Sequence, residues 1–157
     1  MEKLNYCSNC SGPIKFLKKH YYCNNCKTII YLDPKVAVAA IIFQNQSILL
    51  VKRAINPSMG SWSFPSGFVD RGEKLEDALK REVMEETNLK IEVSNLIGVY
   101  SYNDNPIILC AYEAKVLSGN IKMNHEIDEV KEFLLTELPE LAFDHDIQII
   151  NDWKKQS

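Results

Sequence analysis

The chain has 157 residues, of which 46% are hydrophobic and 25% are charged, and its formal net charge at pH 7 is −3. This composition is typical of one globular domain with a small appendage. The longest strongly apolar run, which begins at Val36, has eight residues, far short of the ~20 that a membrane-spanning helix needs. The N-terminus has no apolar core of a signal peptide, so we expect a cytoplasmic protein without membrane contact.

The charge is distributed unevenly along the chain. Residues 1–35 carry six lysines against two acidic residues, a formal charge of +4, and the remainder carries −7. A basic module beside an acidic one suggests nucleic acid as a partner of the first and metal as a partner of the second.

Four of the five cysteines form two C-x-x-C pairs, Cys7 with Cys10 and Cys23 with Cys26, separated by twelve residues. Two such pairs can converge on one tetrahedral ion. Disulfides are the alternative, and they rarely persist in the cytoplasm. A thioredoxin-like redox site is disfavoured because no βαβ pattern surrounds either pair. We therefore predict a structural Zn²⁺ held by these four cysteines.

The cysteine-containing segment is too short to fold without help. A segment of about 35 residues buries too little surface, and four thiolates closing on Zn²⁺ supply the missing free energy. Residues 12–23 have the pattern strand–turn–strand, which predicts a zinc ribbon over residues 1–34. With the charge of a four-thiolate zinc site included, the effective charge of the ribbon drops to about +2.

The rest of the chain, residues 35–157, has patterns of strands mixed with two helices. This irregular alternation favours a layered α/β sandwich over a doubly wound sheet. The predicted strands cover 36–43, 47–53, 90–102, 106–116 and 129–135, with a short broken segment at 61–69. The predicted helices cover 75–87 and 144–156.

The first predicted helix is rich in glutamate. At about 100° per residue, Glu82, Glu85 and Glu86 project into one arc about 100° wide. That arc also contains apolar residues of the helix, whereas a solvated charged stripe would lie opposite them. Inward carboxylates without partners are costly, and a hard divalent cation, Mg²⁺ or Mn²⁺, is a natural partner.

Two neighbouring residues add to this candidate metal site. Arg81 is a positive neighbour that can orient a glutamate through two hydrogen bonds. Gly67, in the loop before the helix, lets the backbone approach a ligand closely and offer a carbonyl to the ion.

These residues resemble the Nudix box, G-x5-E-x7-R-E-U-x-E-E-x-G-U, in which U is aliphatic. The chain matches it at every fixed position but one. The departure is Asn88, where the pattern has glycine. Asparagine is the best non-glycine residue for the left-handed position that ends a helix, so we expect an effect on the turn rather than on catalysis.

The resemblance extends over nearly the whole chain. Residues 56–73 are similar to the approach to the box in Nudix hydrolases. The four-cysteine ribbon and residues 138–153 resemble the zinc-ribbon Nudix group, which includes plant FAD and ADP-ribose diphosphatases. The resemblance implies an α/β/α sandwich with a mixed sheet, preceded by the zinc ribbon. It also implies Mg²⁺- or Mn²⁺-dependent hydrolysis of a nucleoside diphosphate linked to another group.

The resemblance implies roles for the box residues. Glu73 supports the site and Arg81 orients the glutamates. The implied ligands of Mg²⁺ or Mn²⁺ are Gly67, Glu82, Glu85 and Glu86.

In many Nudix enzymes a glutamate from a late loop serves as base or ligand. The sequence "NHEIDEV" offers Glu126 for this role, with Glu129 as the second choice. A solvated acidic loop is an equally good interpretation of these residues.

The substrate is less well determined by the sequence. NADH diphosphatases of the family have an S-Q-P-W-P-F-P-x-S element after the box, and here that region reads "GVYSYNDNPIILC". FAD and ADP-ribose are therefore favoured, with NADH or a nucleotide sugar as the alternative. Trp62, Tyr100 and Tyr102 could stack on a base or flavin ring, although aromatic residues in strands more often belong to the core.

Two other classes of function compete with hydrolysis. An RNA-binding module would use the lysines of the ribbon. The small effective charge of the ribbon and the negative net charge of the whole chain disfavour a nucleic-acid partner. An inactive, metal-binding regulator is disfavoured by the intact glutamates. The sequence leaves open whether the chain forms a homodimer.

Overall fold

The computed structural model of the chain describes residues 4–17, 20–32 and 34–156. The chain separates into two compact units, Met1–Pro34 and Lys35–Ser157. Among the residues described, no helix has both the length and the apolar character needed to cross a membrane.

The first unit contains a small antiparallel sheet. Its strands are β1 (Ile14–Leu17), β2 (His20–Cys23) and β3 (Ile29–Ile30), with β2 in the centre. β1 and β2 form the predicted hairpin, but its turn falls on Lys18 and Lys19, outside the described residues. β3 was not predicted, because two residues are too few to show a period-2 pattern.

The second unit follows the predicted order of elements. Its helices, α1 (Leu75–Thr87) and α2 (Asp144–Gln156), have the predicted bounds. Its strands are β4 (Lys35–Gln44), β5 (Ser47–Arg53), β6 (Trp62–Ser63), β7 (Ser66–Phe68), β8 (Leu89–Ser101), β9 (Ile107–Gly119) and β10 (Ile127–Leu134).

The strands of the second unit form a mixed sheet. Its order is β10-β5-β4-β9-β8, with β6 paired to β5 and β7 paired to β4. β4 and β9 run parallel, with Val38 opposite Cys110. The other described pairs in this sheet run antiparallel.

β4 contributes to both faces of the sheet, which explains its continuous apolar sequence. Because successive side chains of a strand point to opposite faces, Ala37, Ala39 and Ile41 join one core cluster. Val38, Ala40 and Ile42 join the other. A strand that is covered on both faces has an unbroken apolar run rather than an alternating one.

One helix covers each face of this sheet. α1 packs Ala78, Leu79 and Val83 into the second cluster. α2 packs Ile149, Ile150 and Trp153 into the first, completing three layers. The predicted α/β/α sandwich with a mixed sheet is therefore confirmed.

The ends of α1 are well defined. Glu76 and Asp77 lie in its first turn, where negative charge complements the helix dipole. At the other end Asn88 has φ 60° and ψ 24°, the left-handed conformation predicted from the sequence, and its amide donates to the carbonyl of Met84 at 2.9 Å. A short loop, residues 69–74, leads from β7 into the helix and places both elements at the same site.

Candidate active site

The second unit encloses a cavity of about 750 Å³, bounded by β4, β5, β7, α1 and β8 and by the loops before β10 and α2. This volume lies within the range of small-molecule binding sites. Most of the residues predicted to form the active site line the cavity: Gly67, Arg81, Glu82, Glu85, Glu86, Tyr100, Tyr102 and Glu126.

Arg81 organises one side of the cavity. Its Nε and Nη2 donate to the two carboxylate oxygens of Glu73 at 2.9 and 2.8 Å, and its Nη1 donates to Glu82 Oε1 at 2.7 Å. Nη2 also donates to the Phe68 carbonyl at 3.0 Å. The hydrogen bond from Arg81 lowers the pKa of Glu73 to about 2. Arg81 thus orients Glu82, and Glu73 holds Arg81 in place.

Glu82 packs directly against the backbone of β7. A Cβ atom placed on Gly67 would lie 2.0 Å from Glu82 Cδ, closer than any side chain tolerates. The glycine of the Nudix-like pattern therefore allows the carboxylate of Glu82 to keep this position, and its backbone needs no left-handed conformation. Burial raises the pKa of Glu82, against the opposing effect of Arg81.

Glu86 is the most deeply buried carboxylate of α1, with only 5% of the residue exposed. Its Oε2 accepts a hydrogen bond of 3.1 Å from the Ser66 amide. Burial raises the pKa of Glu86 to about 8, and the negative charges of Glu82 and Glu126 contribute. The fold therefore holds Glu86 where a lone carboxylate is unstable.

Glu85 differs from its two neighbours. Its side chain is 54% exposed, against 14% for Glu82, and it lies 3.7 Å from Arg81 Nη1. The prediction that all three glutamates face inward is corrected for Glu85, because it occupies the edge of the helical arc, where the apolar face meets solvent. It still lines the cavity.

Glu126 reaches the same cavity from the loop before β10. Its carbonyl accepts the amide of Ala54 at 2.7 Å, and its amide donates to Asn124 Oδ1 at 2.9 Å, which fixes the loop. Its charge raises the pKa values of both Glu82 and Glu86, so it faces these carboxylates. Glu129 lies on β10 opposite Lys52 and is not among the cavity-lining residues.

The carboxylates of this cavity fit a hard divalent cation. Two of them, Glu82 and Glu86, have raised pKa values because they are buried near other negative charges. A dication placed among them would favour their charged forms. Carboxylate and carbonyl oxygens are also the ligands that Mg²⁺ and Mn²⁺ prefer.

The three predicted aromatic residues have different surroundings. The ring of Tyr100 lines the cavity while its hydroxyl donates to Asp152 at 3.2 Å. Tyr102 lines the cavity with an exposed ring. Trp62 instead packs edge-on against Phe133, with ring centroids 4.7 Å apart, and is not among the residues lining the cavity. Its place on β6 therefore does not bring its ring to a ligand.

The structure adds cavity residues that the sequence did not single out. Arg53 lies at the end of β5, while Phe143, His145 and Asp146 lie at the start of α2. The visible signal was an acidic, aromatic and histidine-containing "FDHD" stretch, which local spacing alone does not distinguish from a helix cap.

The four N-terminal cysteines also come together. They are free thiols, and their sulfur atoms all lie within 4.8 Å of one another. The sulfurs of Cys7 and Cys26 are 3.6 Å apart, and those of Cys10 and Cys23 are 3.5 Å apart. A tetrahedron with Zn–S bonds of about 2.3 Å has S–S edges of roughly 3.8 Å. The cluster therefore fits Zn²⁺.

Comparison with known proteins agrees with this geometry. The family model described as the NUDIX domain matches residues 33–153. An ADP-ribose pyrophosphatase from Methanocaldococcus jannaschii is 42% identical over 130 residues, which are 80% of this chain and 76% of that protein. A crystal structure of a NUDIX hydrolase from Nitrosomonas europaea matches with a TM-score of 0.89 and 31% identity, covering 98% of this chain and 92% of that chain.

A more distant relative is the NAD-capped RNA hydrolase NudC of Vibrio parahaemolyticus. It is 28% identical over 145 residues, which are 90% of this chain but 55% of that protein, so the chain spans about half the length of this relative. The match to the NUDIX model and the identity to the Methanocaldococcus protein both extend over most of the chain. The chain belongs to the NUDIX family and is a Nudix hydrolase.

Proposed function

We propose that this enzyme hydrolyses the diphosphate of ADP-ribose, or of a closely similar nucleoside diphosphate, by attack of water on phosphorus. The observation that carries the proposal is the pair of carboxylates, Glu82 and Glu86, held in a cavity of nucleotide size despite the cost of burying them. The Methanocaldococcus relative, described as an ADP-ribose pyrophosphatase, supports the choice of substrate.

In this proposal Glu82, Glu85 and Glu86, with the carbonyl of Gly67, hold Mg²⁺ or Mn²⁺. The bound cation supplies positive charge for the diphosphate and lowers the pKa of a water molecule. Arg81 keeps Glu82 oriented through the hydrogen bond at 2.7 Å. Without that bond Glu82 would lose its fixed position against β7.

Arg53 binds phosphate oxygens in this scheme. Its Nε donates to the Pro57 carbonyl at 2.7 Å, which fixes the side chain. Its positive charge opposes the burial that raises the pKa of Glu86, so the guanidinium lies near the carboxylates. Guanidinium groups suit phosphate because their fork of donors matches two oxygens at once.

Glu126 is our candidate for the general base. It lies on a loop fastened to the end of β5 and faces Glu82 and Glu86. A base in that position can accept a proton from a water held beside the cation, provided that it comes within hydrogen-bond distance of the water.

We further propose that residues 1–34 form a zinc ribbon and residues 35–157 the catalytic domain. The convergence of Cys7, Cys10, Cys23 and Cys26 supports a structural role for Zn²⁺. Similarity of this ribbon to that of plant FAD and ADP-ribose diphosphatases keeps FAD among the candidate substrates.

A second candidate substrate is an NAD-type diphosphate. The NudC relative is described as an NAD-capped RNA hydrolase, which favours NADH or an NAD-capped RNA end. The absence of the NADH-specific element after the box argues for ADP-ribose over NADH.

A turnover screen tests the proposal. ADP-ribose, FAD, NADH and UDP-glucose are compared at equal concentrations with Mg²⁺ and with Mn²⁺, and kcat/KM is measured for each. We expect ADP-ribose or FAD to exceed NADH, and no turnover after the metal is removed by chelation. Glu86→Gln, purified identically, controls for contaminating hydrolases. NADH as the best substrate would refute the substrate choice, and no turnover of any diphosphate would refute the function.

A further inference from the structure

One end of the cavity is lined by planar side chains that the hydrolytic step does not use. The rings of Phe143 and His145 are nearly parallel, with centroids 5.2 Å apart and an angle of 7° between their planes. Tyr102 continues the row at 6.1 Å from His145, and the Arg53 guanidinium lies 5.4 Å from the centre of the Phe143 ring. All four residues line the cavity. Because these groups stack on one another, the row offers a flat ligand the outer face of Tyr102 and the ring edges that line the cavity.

A buried carboxyl group lies beside this row. Asp146 is 2% exposed and lines the cavity. Its Oδ2 accepts the Phe143 amide at 3.2 Å, as the third residue of a helix does in a capping box. Its Oδ1 lies 3.7 Å from His145 Nε2, which is beyond hydrogen-bond distance. One oxygen thus serves the helix end, and the other is available to a ligand.

A second polar group in the cavity wall lacks a partner. The Ser63 hydroxyl is buried and has no hydrogen bond within the described part of the chain, and Ser63 lines the cavity. Its strand, β6, is tied to the segment before α2, because the Trp62 carbonyl accepts the Ala142 amide at 2.7 Å. A buried polar atom without a partner costs free energy, which a ligand hydrogen bond would recover.

Arg53 connects this end of the cavity to the glutamates. Burial raises the pKa of Glu86 to about 8 and that of Asp146 to about 7, and the positive charge of Arg53 opposes the shift at both groups. The guanidinium therefore lies near both groups. A ligand whose phosphates contact Arg53 and the glutamates would have its remaining part available for the ring row.

We propose that this end of the cavity recognises an adenine base, with Asp146 Oδ1 accepting the exocyclic amino group and Phe143, His145 and Tyr102 contacting the ring. Adenine fits an ionised Asp146 because its 6-position carries a hydrogen-bond donor, whereas hypoxanthine would place a carbonyl oxygen against the carboxylate at that position. Ser63 supplies a second polar contact. This inference rests on the proposed function and assigns the specificity of the same site.

The test compares ADP-ribose with IDP-ribose, whose purine has a carbonyl oxygen at the 6-position and a proton on N1. It is run at a pH well above the Asp146 pKa of about 7, so that this carboxyl group is ionised. Wild-type enzyme is expected to prefer ADP-ribose about tenfold or more in kcat/KM, the size of effect that a hydrogen bond in a buried site produces. Asp146→Asn retains an oxygen for the Phe143 amide but presents an amide NH₂ to the base. It is expected to lower this ratio about tenfold, mainly through KM.

Asp144→Asn is the matched control. Asp144 lies in the same first turn of α2 but is exposed and is not a cavity-lining residue. Its variant is expected to keep the wild-type ratio. An unchanged ratio in a folded Asp146→Asn protein would overturn the proposal.

Ser63→Ala keeps the proposal testable if Asp146→Asn does not fold. It is expected to raise KM for ADP-ribose about threefold or more while its Tm stays the same or rises, because a buried hydroxyl without a partner is removed. An unchanged KM would overturn the proposal.

Calorimetric binding of AMP and IMP to the metal-free protein reports base recognition without turnover. We expect AMP to bind about tenfold more tightly than IMP. Equal binding of the two would contradict base recognition whether or not the enzyme turns over. Equal turnover of the adenine and hypoxanthine substrates would overturn this inference and leave the proposed function standing. Selective binding of AMP without turnover of any substrate would overturn the proposed function and leave this inference standing.

Discussion

Glu86 occupies a position that is unfavourable for a lone carboxylate and favourable for a metal ligand. Burial raises its pKa to about 8, although its Oε2 accepts the Ser66 amide. A residue that served only as a structural ion-pair partner would have a lowered pKa, as Glu73 does beside Arg81. A charged Glu86 is therefore expected to destabilise the metal-free protein and to serve catalysis by binding the cation.

We expect Glu86→Gln to reduce kcat by at least ~10²-fold, about 2.7 kcal/mol in barrier height, because glutamine lacks the charge that holds the cation. The metal-free variant should be as stable as wild type or more so, since Gln can still accept the Ser66 amide without burying a charge. Steady-state kinetics and thermal melts with and without Mg²⁺ measure both effects. Near-wild-type turnover at saturating Mg²⁺ would show that Glu86 is not a ligand.

The raised pKa of Glu86 also predicts a pH dependence of stability. The folded protein retains this proton up to about pH 8, whereas the unfolded chain releases it near the ordinary value of 4.5. The folded state therefore binds more protons across this window, and the stability of the metal-free protein should fall as pH rises through it. Glu86→Gln should reduce the slope but not remove it, because burial also raises the pKa of Asp146 to about 7. Denaturant unfolding between pH 5 and pH 8.5, as approximate limits, measures it, and equal slopes in both proteins would contradict the assignment.

Asn88 shows how the one departure from the Nudix pattern is accommodated. Its backbone is left-handed, and its Nδ2 donates to the Asn120 carbonyl at 2.9 Å. Glycine would relieve the backbone, by about 1 kcal/mol, and would lose an exposed hydrogen bond of similar size. We expect Asn88→Gly to change the free energy of unfolding by roughly 1 kcal/mol or less.

Asn88→Ala is the control for this substitution. Alanine loses the hydrogen bond and keeps the unfavourable backbone, so it should be less stable than the glycine variant. Urea unfolding of the three proteins compares them. A glycine variant less stable than the alanine variant would contradict the left-handed assignment.

At the scale of elements, the active site depends on how closely β7 approaches α1. β7 pairs with β4, with Gly67 opposite Val38. The side chains of β4 pack alternately into the two core clusters. Glu82 fits against Gly67 because no side chain intervenes. The helix is thus positioned by its core contacts and the strand by its pairing with β4, and the two meet where a side chain at Gly67 would displace Glu82.

Gly67→Ala should therefore displace Glu82 and abolish most activity, because a Cβ would overlap the carboxylate. It should also lower Tm. In Gly67→Ala/Glu82→Ala the overlap is removed, so the double variant should be more stable than the two single effects predict when added together. Thermal melts of the four proteins in this cycle measure the coupling. Additive effects on Tm would mean that the overlap between the new Cβ and Glu82 does not destabilise the protein.

At the scale of the whole molecule, the chain consists of two compact units with different sources of stability. The second unit has a core on both faces of its sheet. The described strands of the first unit have two to four residues each, and the four cysteines bring its segments together. A unit of this size depends on a metal for its folding free energy.

We expect about one Zn²⁺ per chain in protein purified without chelator, measured by elemental analysis. Cys10→Ser should lose the zinc and loosen the first unit, while the far-UV helical signal of the second unit persists. Cys110→Ala is the control, since Cys110 lies in the core of the second unit and its loss should leave the zinc content unchanged. Zinc-free wild-type protein would contradict the prediction.

The sequence alone determined the order of elements in the second unit, the bounds of both helices and the residues of the glutamate helix. These depend on periodicity and caps within some ten to fifteen residues, as at Asn88. The two cysteine pairs were recognisable for the same reason, because ligand spacing is local within each pair. Exposure within α1 was less predictable, since Glu85 and Glu86 are neighbours on the helix and differ widely in burial.

Only the tertiary structure decided which residues share the cavity. Arg53 and Asp146 are far apart in sequence but line the same cavity. The Trp62 carbonyl accepts the Ala142 amide from a distant part of the second unit's sequence. Trp62 packs against Phe133 on a neighbouring part of the sheet, which no local pattern specifies. Contacts of this kind arise from the packing of whole layers, where the position of each side chain depends on every strand between them.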